Sequence, residues 1–135
     1  MASGHREAWD FDDVETFEQF VMGAHACGLG AVVDRLRAGY EDETPNGGRR
    51  WIVTYPDSIA WQDTTLARRP GRDGEPKVKT LIELPTFAIL APSNGATHPS
   101  GRPYVHVSGG FTTIASYTAD ERAALIGLAR TFDQI

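Results

Sequence analysis

Apolar residues recur at helical spacing from Asp13 to Ala26, where Val14, Phe17, Phe20, Val21 and Ala24 share one face. Gly28 and Gly30 stop that pattern, and a shorter helix is expected over Ala31–Ala38, closed by Gly39. A third helix is predicted from Thr118 to Asp133. Thr118 and Glu121 have capping-box spacing there, and Leu125, Leu128, Ala129 and Phe132 make an apolar stripe. The strand signal is different: β-branched and aromatic residues crowd into short runs. Trp51–Tyr55, Thr80–Leu84, Phe87–Ala91 and Pro103–Val107 read as strands, and the residues before Asp12 as the end of another.

Turn chemistry separates these runs. The stretch EDETPNGGRR carries Pro45, Asn46, Gly47 and Gly48 in a row. Asp57–Lys77 has little periodicity and reads as a long loop with room for one short element. Pro92–Pro103 is a polar loop rich in glycine, proline and serine. With no repeat and no boundary, the pattern predicts one α+β domain over 1–135, closed by the helical segment 118–135. Its helices should pack on one face of a small, mostly antiparallel sheet.

Composition narrows the class. A hydrophobic fraction of 41% over 135 residues supports a single globular core. No apolar run reaches the roughly 20 residues that cross a bilayer, and the first residues lack an apolar leader. A lone cysteine, Cys27, excludes a disulfide scaffold; it is expected in the core on the apolar side of the first helix. These features predict a cytoplasmic protein. The net charge of −5 argues against coating nucleic acid by bulk attraction. The basic cluster Arg68, Arg69, Arg72, Lys77 and Lys79 is interrupted by proline, glycine and acids, and reads mainly as a solvated loop.

The candidate chemistry is acidic. In WDFDDVETF, Asp13, or Asp12 with Glu15, can cap the first helix. Asp10 needs another reason. If Trp9–Asp12 ends a strand, Asp10 and Asp12 share a face. Two carboxylates there are comfortable when exposed or when a divalent cation lies between them. Glu83 is the one charge in TLIELPTFAILA. Either it faces solvent with Leu81 and Pro85, or it is a third carboxylate of the same site. Three acidic oxygens with substrate phosphates suit Mg²⁺ or Mn²⁺, and no Cys/His spacing supports zinc. In PSNGATHPSGRPY, Ser93 and His98 offer hydrogen bonds beside glycines that allow close backbone approach. His5, His25 and His106 read as surface or packing residues, and Trp51 and Trp61 as core.

Four stretches together resemble the bifunctional DNA primase/polymerase (prim-pol) domain of the archaeo-eukaryotic primase superfamily. They are WDFDDVETFEQFV, GLGAVVDRLRAGYEDETPNGGRRW, KTLIELPTFAILAPSNGATHPSGRPY and TIASYTADERAALIGLARTFDQI, which cover nearly the whole chain. The resemblance implies an RRM-like catalytic sheet and primer synthesis and extension in plasmid, phage or integrated-element replication. The implied partners are a DNA template, nucleoside triphosphates and a helicase domain or protein. It assigns the acid pair to Asp10 and Asp12 and the third acid to Glu83, together holding two Mg²⁺ or Mn²⁺ ions. It places Arg50 where the family carries a histidine after its Gly-Gly turn, and leaves Ser93, His98 and Lys79 to contact the nucleotide. The family's N-terminal module has no counterpart before Asp10, so the chain is expected to be the C-terminal catalytic part. The alternative is a prim-pol-derived module that binds nucleic acid or protein without chemistry.

Overall fold

Alternation along the first strand sets the architecture. The computed structural model describes residues 5–56, 64–85 and 105–135. In β1 (His5–Phe11), Trp9 and Phe11 point to one side and Ala8 and Asp10 to the other. β1 pairs antiparallel with β3 (Arg49–Tyr55), with Trp9 opposite Trp51, and with β5 (Val78–Leu84), with Phe11 opposite Ile82. The strands β2 (Tyr40–Glu43), β4 (Thr64–Pro70) and β6 (Val105–Gly109) complete a six-stranded antiparallel sheet in the order β4-β5-β1-β3-β2-β6.

Three helices contribute to one core against the Trp9 side: α1 (Val14–Ala26), α2 (Gly30–Gly39) and α3 (Ala119–Arg130). Phe17 and Phe20 of α1 meet Phe11 with ring centroids 5.1 Å apart, and Phe11 meets Trp51 at 4.9 Å. Edge-on and tilted rings at these distances add directional attraction to a large apolar burial. Val33 and Leu36 of α2 and Leu125 and Ala129 of α3 fill the same cluster. The chain is therefore α+β, as its periodicity predicted.

Among the described residues, the carboxylates of Glu7 and Glu41 are buried on this helix-facing side. Glu41 accepts from the Trp51 indole at 3.0 Å and from Arg37 at 2.8 Å. Glu7 accepts from Arg122 Nε at 2.8 Å and from the Tyr117 hydroxyl, which itself accepts from Trp9 Nε1 at 2.8 Å. A buried carboxylate is tolerable when its lone pairs are satisfied this way, and this one pins α3 to the central strand.

The helices lie where the spacing placed them, and Thr118 forms its capping box with Glu121. Other expectations need correction. Tyr40–Glu43 is a strand, where the sequence reading had only turn chemistry. Its charges concealed it: Glu41 and Asp42 are both buried against arginines. The short element for which the Asp57–Lys77 loop left room is the strand Thr64–Pro70, but Arg69 in it is not solvated: it is buried, gripping Glu75 through two bonds of 2.8 and 2.9 Å. Cys27 is exposed and outside the core. α1 ends at Ala26, and Gly28, at a left-handed φ of 88°, turns the chain away. The expected strand Phe87–Ala91, the Pro92–Pro103 loop and Trp61 lie outside the described residues.

Candidate acidic site on the sheet

On the side facing away from Trp9, the strand register assembles one row of polar residues. Glu83 of β5 stands opposite Asp10 of β1, and Asp10 opposite Arg50 of β3. Arg50 stands opposite Asp42 of β2, and Asp42 opposite His106 of β6. Directly opposed side chains in a sheet come close enough to interact. Register thus converts five residues scattered over nearly one hundred positions into one line of neighbouring polar groups.

Asp12 follows β1, and its backbone N–H donates to Leu81 O at 2.9 Å, fixing it beside β5. Its carboxylate lies 3.5 Å from Lys79 Nζ. Asp13 takes the bland role: it is the N-cap of α1 and accepts from Thr16 N at 2.7 Å. Asp10, Asp12 and Glu83 all line one cavity of about 270 Å³, together with Lys79, Thr80 and Leu81. The structure therefore brings the three sequence-predicted acids and Lys79 to one place, with Arg50 adjoining. Ser93 and His98 lie outside the described residues.

The turn before β3 has a steric requirement. Gly47 adopts φ of 88°, and a Cβ on Gly48 would fall 2.0 Å from Phe11 O. Glycine is required for this close crossing at the end of β1. Two residues later the chain delivers Arg50 opposite Asp10.

Electrostatics follow from this crowding. Burial, with the Glu83 carboxylate next in weight, pushes the Asp10 carboxyl up to about 7, against the pull of Arg50. Burial also raises Asp12, and Lys79 opposes it. Arg50 is held by Asp42: Nη2 donates to Oδ2 at 2.6 Å, and Nε reaches both carboxylate oxygens at 3.2 Å. The Tyr40 hydroxyl adds a bond to Asp42 Oδ2 at 2.9 Å. Asp42 is 1% exposed. Sequence reasoning missed Asp42 and Tyr40. The available signal was their alternation in YED, with an arginine nearby in need of a counter-charge.

Among the described residues, no three His, Cys, Asp or Glu side chains form a ready-made metal cage. No helix of the described residues is long and apolar enough to cross a membrane. Comparison with family models, curated proteins and solved structures finds no match for this chain.

Proposed function

We propose that this chain is the catalytic part of a primase/polymerase-type nucleotidyltransferase. It would act on a DNA template and deoxynucleoside triphosphates over an RRM-like sheet, in the cytoplasmic replication of a mobile element, in concert with a helicase. The observation that carries the reading is the opposition of Asp10 and Glu83 across β1 and β5, with Asp12 on the same cavity and Arg50 next in the row.

The donor chemistry fits a hard divalent cation. All three groups are carboxylates, and Mg²⁺ commonly takes only one or two of them, completing its octahedron with water and substrate phosphate. The raised Asp10 carboxyl fits as well: burial chiefly, and the Glu83 carboxylate next, disfavour its ionised form until a cation lies beside it. Asp10 and Glu83 would hold Mg²⁺ or Mn²⁺, with Asp12 reaching in from the strand end. Bound there, the cation would neutralise phosphate charge and favour an ionised primer hydroxyl. The chain's own residues orient the substrate. Lys79, at the cavity rim, meets a phosphate as a point charge. Arg50 presents a fixed cation beside Asp10.

One observation favours a second reading, a nucleic-acid-binding module without transfer chemistry. Arg50 is clamped by Asp42 and backed by Tyr40, so its guanidinium is less able to follow a moving triphosphate than an imidazole on the same strand. Primer extension in Mn²⁺ by the wild type and Arg50→His separates the two readings. Incorporation by either, lost on Asp10→Asn or Glu83→Gln, supports transfer. No incorporation by either protein, together with a melting temperature unmoved by Mn²⁺, would sink the transfer reading in favour of the binding module.

A further inference from the structure

The polar row ends in aromatic residues. Tyr40, whose hydroxyl bonds Asp42, has the His106 ring against it at 5.5 Å, edge to face. The Phe111 ring is stacked on it at 5.2 Å and 26°. Tyr40 itself is buried, while His106 is exposed and Phe111 is 43% exposed.

A solitary exposed phenylalanine needs no explanation. This one is held in place. Gly109 turns the chain at φ of 72°. Thr113 N donates to Gly110 O at 3.0 Å, Gly110 N donates to Thr113 Oγ1 at 2.8 Å, and Thr113 Oγ1 donates to Gly39 O at 2.8 Å. Ser108 Oγ anchors the same turn to Arg37 O at 2.5 Å. His106 is tied back to Gly109 O through Nε2. The turn thus presents an oriented ring at little ordering cost to a ligand.

We propose that His106 and Phe111, backed by Tyr40, form a stacking platform for an unpaired base of single-stranded nucleic acid. The platform rests on the nucleic-acid part of the proposed function and does not require the transfer chemistry. Three strand spacings separate β6 from β1, roughly 14 Å. A strand could therefore lay one base on the platform while a neighbouring nucleotide approaches Arg50 and the acids. Stacking on an aromatic face tolerates any base, because every base presents a π-face, and Arg50 lies along the same row. A protein partner fits less well. The platform lies on the same sheet face as the proposed nucleotide site, at the end of the row that runs through Asp42 and Arg50 to Asp10.

The test is fluorescence anisotropy with a short labelled oligothymidylate and an abasic strand of equal length, both in EDTA. The wild type should prefer the base-bearing strand. Phe111→Ala and His106→Ala should each weaken that preference by about five- to a hundredfold, Phe111→Trp should keep it, and all three should melt as the wild type does. Equal binding of the two strands by the wild type overturns the platform, as does binding of neither strand. Variants that keep the full preference overturn it too. A change in sedimentation mass confined to Phe111→Ala would overturn it in favour of a contact between copies. With EDTA present and no incorporation measured, failure of the platform and failure of nucleotidyl transfer remain separate results.

Discussion

Arg50 and Asp42 face each other across β3 and β2 and form a two-pronged ion pair whose carboxylate is almost fully enclosed. The pair fixes a positive charge one strand from Asp10. It also makes each partner depend on the other, because removing either one takes from a buried charge its closest counter-charge.

Removing Asp42 should therefore be costly. Asp42→Ala is expected to destabilise the fold by about 3–5 kcal/mol. The double variant Arg50→Met/Asp42→Leu should lose much less, because no charge is left stranded. Urea denaturation of the three proteins measures this. Equal losses in the single and double variants would contradict the pairing argument.

The Asp10 carboxyl gives the pH dependence a definite sign. Its folded value, about 7, lies above the ordinary aspartate value of 3.8, so between these limits the folded chain binds more protons than the unfolded one. Stability from this group is fully present below about pH 4 and falls as pH rises towards 7. Asp10→Asn removes the effect. The variant should gain on the wild type with rising pH, by up to about 4 kcal/mol above pH 7. Melting curves from pH 4 to 8, read as the difference between the two proteins, report it; a flat difference would refute the assignment. Glu75, held down to about 2 chiefly by Arg69, acts in the opposite sense at low pH and cancels in that difference.

Glu7 should matter to α3 more than to the rest of the chain. Glu7→Gln leaves the Arg122 guanidinium without its carboxylate and should cost about 2–4 kcal/mol. Amide exchange should quicken first in Ala119–Arg130, with the amides of α1 less affected. Uniform loss of protection would mean that Glu7 does not serve as the local anchor of α3.

The helices were legible because each is a local pattern: a cap, a periodic apolar stripe and a stop. Asp13 at the start of α1 and Thr118 with Glu121 at the start of α3 need nothing distant to act. The acids of the candidate site were nameable for a related reason, since an isolated charge such as Glu83 in an apolar run stands out. β2 was hidden, and β4 was legible only as room for a short element, because their strand character is tertiary. YEDE and ARRP become buried strands only when Glu41, Asp42 and Arg69 find opposite charges on other segments. Cys27 was misplaced because the periodicity was carried one residue past the end of the helix.

The amino-acid sequence by itself determined the α+β class, the helix positions and which carboxylates are out of place in their surroundings, because these depend on interactions within a few residues. Only the tertiary structure decided that Glu83, Asp10, Arg50, Asp42 and His106 form one row. That depends on strand order and register, where a slip of one residue would turn Asp10 into the apolar core and Trp9 out of it.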